Sequence, residues 1–272
     1  MIRVSVTVSL VEEARGGPFV FWRDLRGACE KASALGFDGV EVFPPDAEAV
    51  KGEELRGMLG DFGLRLAAVG TGGGWVKKKL TLTMGEEQGR AAARGFVRSI
   101  IDFAGRLGAP AIVGSMQGRT AGGVDRGMAI RYLREALEQL GGYAKGYGVP
   151  LIYEPLNRYE TDLANTVEGG LKVIEALSNV KLLADLFHMN IEEVDLAAAI
   201  RKGAKQIGHV HFADSNRRAA GLGHTDLGAV AEALREVRYE GYVSAEVLAW
   251  PDSEGAARQT MEAYRRWFGV GV

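Results

Sequence analysis

The chain has 272 residues, 47% of them apolar and 25% charged, with a formal net charge of −2 and a pI near 6.2. That is enough apolar chain to bury a large core, and the absence of a basic excess argues against nucleic acid as a partner. A lone cysteine, Cys29, excludes an intrachain disulfide; no apolar run is long enough to span a bilayer, and the start of the chain lacks a signal-peptide layout, so a cytoplasmic setting is expected.

Residues 2–8 alternate as a first strand. Residues 24–35 have helical spacing and stop at Gly36, and residues 39–43 form a second strand closed by Pro44 and Pro45. A helix is expected over 48–62, ending at Gly63, and a third strand over 64–69. The glycine-rich run from Gly70 to Trp75 lacks the ending of a phosphate-binding loop and is expected to be a mobile active-site loop. Residues 86–107 predict a long helix with Ala92, Phe96, Ile100, Phe103 and Leu107 on its inner stripe.

A short strand over 110–114 follows, then a helix over 126–147 with Leu133, Leu137, Leu140 and Ala144 facing inward. A strand over 150–154, a helix over 165–177 and a strand over 180–185 come next. Asn190, with Glu193 three residues on, is expected to cap a helix running to Lys202. The remaining elements are a strand over 206–212, a helix over 226–237, a strand over 241–247 and a helix over 253–268.

Eight strand–helix units without a linker predict parallel pairing through right-handed crossovers. The expected fold class is α/β, a (β/α)8 barrel forming one domain over 1–272, with its site where the strands end. An open doubly wound sheet would need a glycine fingerprint after the first strand, and residues 8–13 contain none.

Charged side chains are costly on buried strands unless they meet partners. Four consecutive strands nevertheless carry one near the same end: Glu154, Asp185, His211 and Glu246. Each alone reads equally well as a helix cap or a loop ion pair; the constellation of all four predicts one divalent cation. Three carboxylates and an imidazole suit Mn2+, Mg2+ or Co2+ rather than a thiolate-rich zinc site.

Together, Glu154 to Glu160, Asp185 to Glu193, His209 to His211, Asn216 with Arg217, and Ala245 with Glu246 resemble the xylose isomerase-like TIM-barrel superfamily, and within it the D-tagatose 3-epimerase (ketose 3-epimerase) group. The resemblance runs through the chain and is densest from the fifth strand onward. It implies an isomerase that epimerises a ketose at C3 through a metal-stabilised cis-enediolate. By position, Glu154, Asp185, His211 and Glu246 would hold the metal, with Mn2+ the first expectation. Glu154 and Glu246 would be the acid/base pair, and Glu160, His188 and Arg217 would contact the substrate near O1 and O2, with Glu41 a further contact. Relatives of this kind imply a sugar substrate, no nucleic acid or membrane partner, and a homo-oligomer, dimer or tetramer.

Trp75 can stack on a sugar face or pack its own loop. His209, two residues before His211, reads as a hydrogen-bonded core histidine, His224 as solvent-facing, and Lys77 to Lys79 as a solvated run. Rival chemistries are a hydroxypyruvate isomerase, an inosose dehydratase and an endonuclease IV-like phosphodiesterase. The last needs more histidines at earlier strand ends than a chain with four in total offers. A barrel that binds sugar or metal without turnover is the non-enzymatic rival.

Overall fold

The computed structural model describes residues 1–269. Strand β1 (Arg3–Ser9) alternates Val4, Val6 and Val8 with Ser5, Thr7 and Ser9, and both sets are buried. The pleat sends them to opposite faces: the valines join the apolar cluster under the helices, and the hydroxyls point into the barrel. Strands β3 (Gly39–Phe43), β4 (Arg65–Gly70), β5 (Ala111–Val113), β6 (Leu151–Tyr153), β7 (Val180–Asp185), β8 (Ile207–His211) and β9 (Tyr242–Ala245) pair in parallel in sequence order, and β9 closes on β1. The expected eight-stranded parallel barrel is therefore present.

One further strand, β2 (Phe21–Trp22), pairs with Val8 and Ser9 of β1, whereas β9 pairs with Arg3 to Val6. Two residues are too short for any periodicity to betray them.

The helices are α1 (Leu25–Leu35), α2 (Gly52–Asp61), α3 (Gly73–Lys78), α4 (Glu87–Arg106), α5 (Arg126–Lys145), α6 (Val167–Ile174), α7 (Leu186–Glu192), α8 (Leu196–Gly203), α9 (Leu227–Glu236) and α10 (Ser253–Phe268). Most start where a side chain accepts the N–H groups that a helix leaves free in its first turn. Asp24, Asp125, Thr166, Asp195, Asp226 and Asp252 do so for α1, α5, α6, α8, α9 and α10.

Several expectations need correction. The segment 70–75 is not a loop throughout: Gly70 ends β4 and Gly73 begins α3. A Cβ on Gly74 would lie 2.6 Å from Met116 and 2.8 Å from Phe96, so its glycine serves close packing. The helix expected from Glu48 starts only at Gly52. In α4 Ala92 is exposed, and the inward face is built from Ala93, Phe96, Val97, Ile100, Ile101, Phe103 and Ala104, so the expected Phe96, Ile100 and Phe103 are buried. Asn190 caps nothing; it lies inside α7, whose cap is Asp185, while α8 is a separate helix capped by Asp195. Glu193 instead accepts the backbone N–H of Val167 at 2.7 Å, at the start of α6.

The barrel interior is divided. Ala68, Ile112, Ile152 and Leu183, from β4 to β7, form a small apolar cluster of their own. The opposite half, from β8, β9, β1 and β3, carries His209, Ser244, Ser5, Thr7 and Glu41, all buried.

Candidate metal centre

Four neighbouring strands deliver the charged groups because of where each strand stops. Asp185 and His211 are the last residues of β7 and β8 and are register partners. Glu154 and Glu246 each follow the final residue of β6 and β9. All four therefore meet at one mouth of the barrel, with ligand-type atoms within 4.8 Å of one another. Nδ1 of His211 lies 3.3 Å from Glu154 Oε1, 3.3 Å from Asp185 Oδ2 and 3.4 Å from Glu246 Oε2.

The donor set fits a divalent cation. Glu154 Oε1 is buried without a hydrogen-bond partner, a costly condition that a metal ion at that point removes. Three carboxylates packed this closely need positive charge among them, and hard oxygen donors with one imidazole would suit a divalent ion such as Mn2+, Mg2+ or Co2+. Burial pushes the Glu154 carboxyl above its ordinary value, with His211 opposing and Glu246 reinforcing the shift. Burial acts the same way on Asp185, but Arg217, His188 and His211 overcome it and hold that carboxyl well below the carboxylate range. Burial alone would lower His211; Glu246, Glu41, Asp185 and Glu154 together raise it far above an ordinary imidazole. A cation bound among these acids would supply the positive charge that His211 otherwise offers them.

Asp185 serves two purposes. Its Oδ1 accepts the N–H groups of Phe187 and His188 at 2.8 and 3.4 Å, capping α7, while Oδ2 faces the cluster. The helix it starts carries His188, which is buried. Asn157 Nδ2 donates to His188 Nδ1 at 2.8 Å and to Glu160 Oε1 at 3.0 Å. His188 Nε2 then faces Asp185 Oδ2 at 3.5 Å and Glu154 Oε1 at 3.9 Å.

Arg217 reaches the cluster from the β8–α9 connection. Its backbone sits in the left-handed region, φ 59°, a conformation unfavourable for a side-chain-bearing residue. Asp214 fixes that connection by accepting backbone N–H groups from Ser215, Gly221 and Thr225 at 2.7, 2.7 and 3.0 Å. The guanidinium bonds to Glu246, lies 3.4 Å from Asp185 Oδ2, and stacks 4.6 Å from the Phe187 ring centroid.

Glu41 lies deeper. Its Oε2 is 2.8 Å from His209 Nε2 and its Oε1 is 3.2 Å from His211 Nε2, so both oxygens are engaged although the residue lines the cavity. These three residues also lie close enough to hold a cation, but direct hydrogen bonds close the group. Burial acts to raise the Glu41 carboxyl, and the two imidazoles hold it low.

The cavity above the cluster measures about 320 Å3, and Trp75, Glu160, His188 and Arg217 line it. Every site residue expected from the sequence therefore borders this cavity or contacts the cluster at its base. His224 and Lys77 to Lys79 are exposed and do not line it, although the Lys79 ammonium lies 5.0 Å from the Trp75 ring centroid. Sequence reasoning missed Asn157, Asp214 and Gln117. The Gln117 amide donates to the carbonyl of Glu154 at 2.9 Å and accepts from Tyr153 Oη at 2.9 Å, holding the end of β6. Gly114 makes room beside it: a Cβ there would lie 2.4 Å from Glu154 Oε2.

A family model described as the xylose isomerase-like TIM barrel matches residues 29–267. The chain is 29% identical to the D-psicose 3-epimerase of Agrobacterium fabrum over 271 residues, covering 90% of this chain and 87% of that protein. It is 35% identical to the D-psicose 3-epimerase of Enterocloster bolteae over 169 residues, an alignment that spans 54% of this chain and about half, 55%, of that relative. A crystal structure of a D-psicose 3-epimerase in the presence of D-fructose superposes with a TM-score of 0.82 at 23% identity, covering 99% of this chain and 100% of the other, a likeness of fold. No helix among the described residues is long and apolar enough to cross a membrane.

Proposed function

The chain belongs to the xylose isomerase-like TIM-barrel family, and from that premise we propose that it is a divalent-metal-dependent ketose 3-epimerase. The observation that carries this reading is the convergence of Glu154, Asp185, His211 and Glu246 on one point at the floor of a sugar-sized cavity. These four residues would hold the ion, with Mn2+ the first candidate. When bound, it supplies Lewis acidity that polarises the ketose carbonyl and makes the C3 proton easier to remove.

The chain's own groups do the rest. Glu154 and Glu246 come from strands separated by β7 and β8, so they approach a substrate over the cluster from different sides. One removes the proton from C3, and the other returns a proton to the opposite face, which inverts that carbon. His188 Nε2 and the Arg217 guanidinium face the cavity beside these carboxylates and would orient O1 and O2 and spread the enediolate charge. Glu160, held by Asn157, would accept a substrate hydroxyl. Trp75 would cover one face of the sugar. A homo-oligomeric state belongs to the same reading.

The test is a panel of ketoses incubated with the Mn2+-loaded protein in deuterated water and followed by NMR. Interconversion of C3 epimers with a deuteron gained at C3 is the expected result. Loss of water would transfer the chain to dehydratase chemistry, and the absence of C3 exchange with every ketose would sink the reading.

A further inference from the structure

A second cavity adjoins the one over the cluster. It is the larger, about 570 Å3 against about 320 Å3, and Trp75, Ser115, Leu156 and Glu160 line both. Its own walls come from the segment between α3 and α4, with Thr81 and Met84, and from the segment after β5, with Arg119. Tyr159, next to Glu160, completes it.

The aromatic rings here are unusual for their exposure. Trp75 is 40% and Tyr159 76% accessible, and both border this one chamber. The Lys79 ammonium lies 5.0 Å from the Trp75 ring centroid, and the third widely exposed aromatic ring among the described residues, Trp250, is covered by the Arg218 guanidinium at 4.0 Å. Tyr159 has no such cover, although Asn157 Oδ1 pins its backbone N–H at 3.0 Å. Among the described residues, no ion pair or hydrogen bond holds the Arg119 guanidinium. Exposed ring faces interleaved with hydroxyl, carboxylate and guanidinium groups match a pyranose, which is apolar on its C–H faces and polar around its rim. Lys79 and Arg119 also line the chamber and would attract a phosphate, which makes it the rival occupant; at the junction the Glu160 carboxylate repels a phosphate, whereas a sugar hydroxyl can donate to it.

We propose that the substrate is a ketose extended by a second sugar ring at its C1 oxygen, the end that Glu160 and its neighbour His188 would contact. The extra ring occupies the larger chamber against Tyr159 and Trp75 while C2 and C3 lie over the carboxylate cluster. This rests on the epimerase reading and adds the substrate's length and class to it.

The experiment compares kcat/KM of the Mn2+-loaded full chain for fructose, 1-O-glucosyl-fructose and fructose 1-phosphate, read by C3 deuterium exchange. Tyr159→Ala and Thr81→Trp are assayed alongside, the first removing a wall and the second filling the chamber. The extended ketose is expected to exceed fructose by about tenfold or more, the equivalent of one good stacking contact. Both variants should lose that advantage while turning fructose over at the native rate. The exposed Tyr159→Ala keeps the test open if Thr81→Trp fails to fold. Equal or slower turnover of 1-O-glucosyl-fructose, an advantage untouched in Tyr159→Ala, or a preference for the phosphate would each overturn the proposal. Turnover of fructose alone leaves the epimerase reading standing and removes only the extended substrate; no exchange with any ketose removes both.

Discussion

Glu41 and His211 meet on the side of the imidazole turned away from the cluster, with Oε1 3.2 Å from Nε2, while Nδ1 lies 3.3 Å from Asp185 Oδ2. Glu41 itself is held from below by His209 at 2.8 Å. A carboxylate bonded to one ring nitrogen places the proton there and leaves the lone pair on the other, the arrangement metal-binding histidines generally use. Glu41→Gln is therefore expected to weaken Mn2+ binding by about ten- to a hundredfold, measured by calorimetric titration of the metal-stripped protein. Unchanged affinity would show that the orientation of His211 is set by its strand alone.

Glu246→Gln keeps the size of the side chain and an oxygen for Arg217 but removes one carboxylate of the proposed acid/base pair. Turnover and C3 exchange should fall by about a hundredfold to ten-thousandfold, while a bound ketose remains detectable by NMR. Exchange at the native rate would exclude Glu246 from proton transfer.

Under the proposed function, the metal-free protein would hold three neighbouring carboxylates without a cation. Restoring Mn2+ at about 100 times its Kd should add about 2.7 kcal/mol of stability, a rise in Tm of about 5–10 °C for a chain of this size. Calorimetry with and without a chelator reads this apart from activity. No change in Tm would mean that the cluster does not bind the ion in the folded state.

Asp214 lies outside the cavity lining yet anchors the connection that carries Arg217. Asp214→Ala strands three backbone N–H groups and should cost about 1–3 kcal/mol of stability. With the guanidinium less well placed, KM should rise more than kcat falls. A variant with native Tm and KM would show that the connection holds its shape without this carboxylate.

Cys29 is fully buried on α1, and burial pushes its thiol up to about 11 from 9.0. The folded state therefore favours the neutral thiol, a contribution present below the unfolded value and lost as pH rises from about 9 toward 11. Native protein at pH 8 should resist thiol reagents and react only after denaturation, as followed by mass spectrometry. Rapid labelling of the native chain would contradict this burial.

Much of this molecule was legible in its sequence because the determining patterns are local. The alternation Val4, Val6, Val8 against Ser5, Thr7, Ser9, the stops at Gly36 and Gly63, and four charged residues at successive strand ends all lie within a few residues of the feature they specify. A closed parallel barrel then makes sequence neighbours into spatial neighbours, which is why Glu154, Asp185, His211 and Glu246 could be grouped without coordinates. Tertiary packing decided the rest. Asp185 rather than Asn190 caps α7, because the strand ends where its carboxylate can reach the first free N–H groups. Residues 73–78 turn into a helix because Gly73 and Gly74 allow close approach to Pro44, Met116 and Phe96, contacts between segments far apart in the chain. Glu41 finds His209 and His211 only once β3 and β8 face each other across the barrel interior. Such partnerships depend on distance in space, and periodicity along a chain carries no record of them.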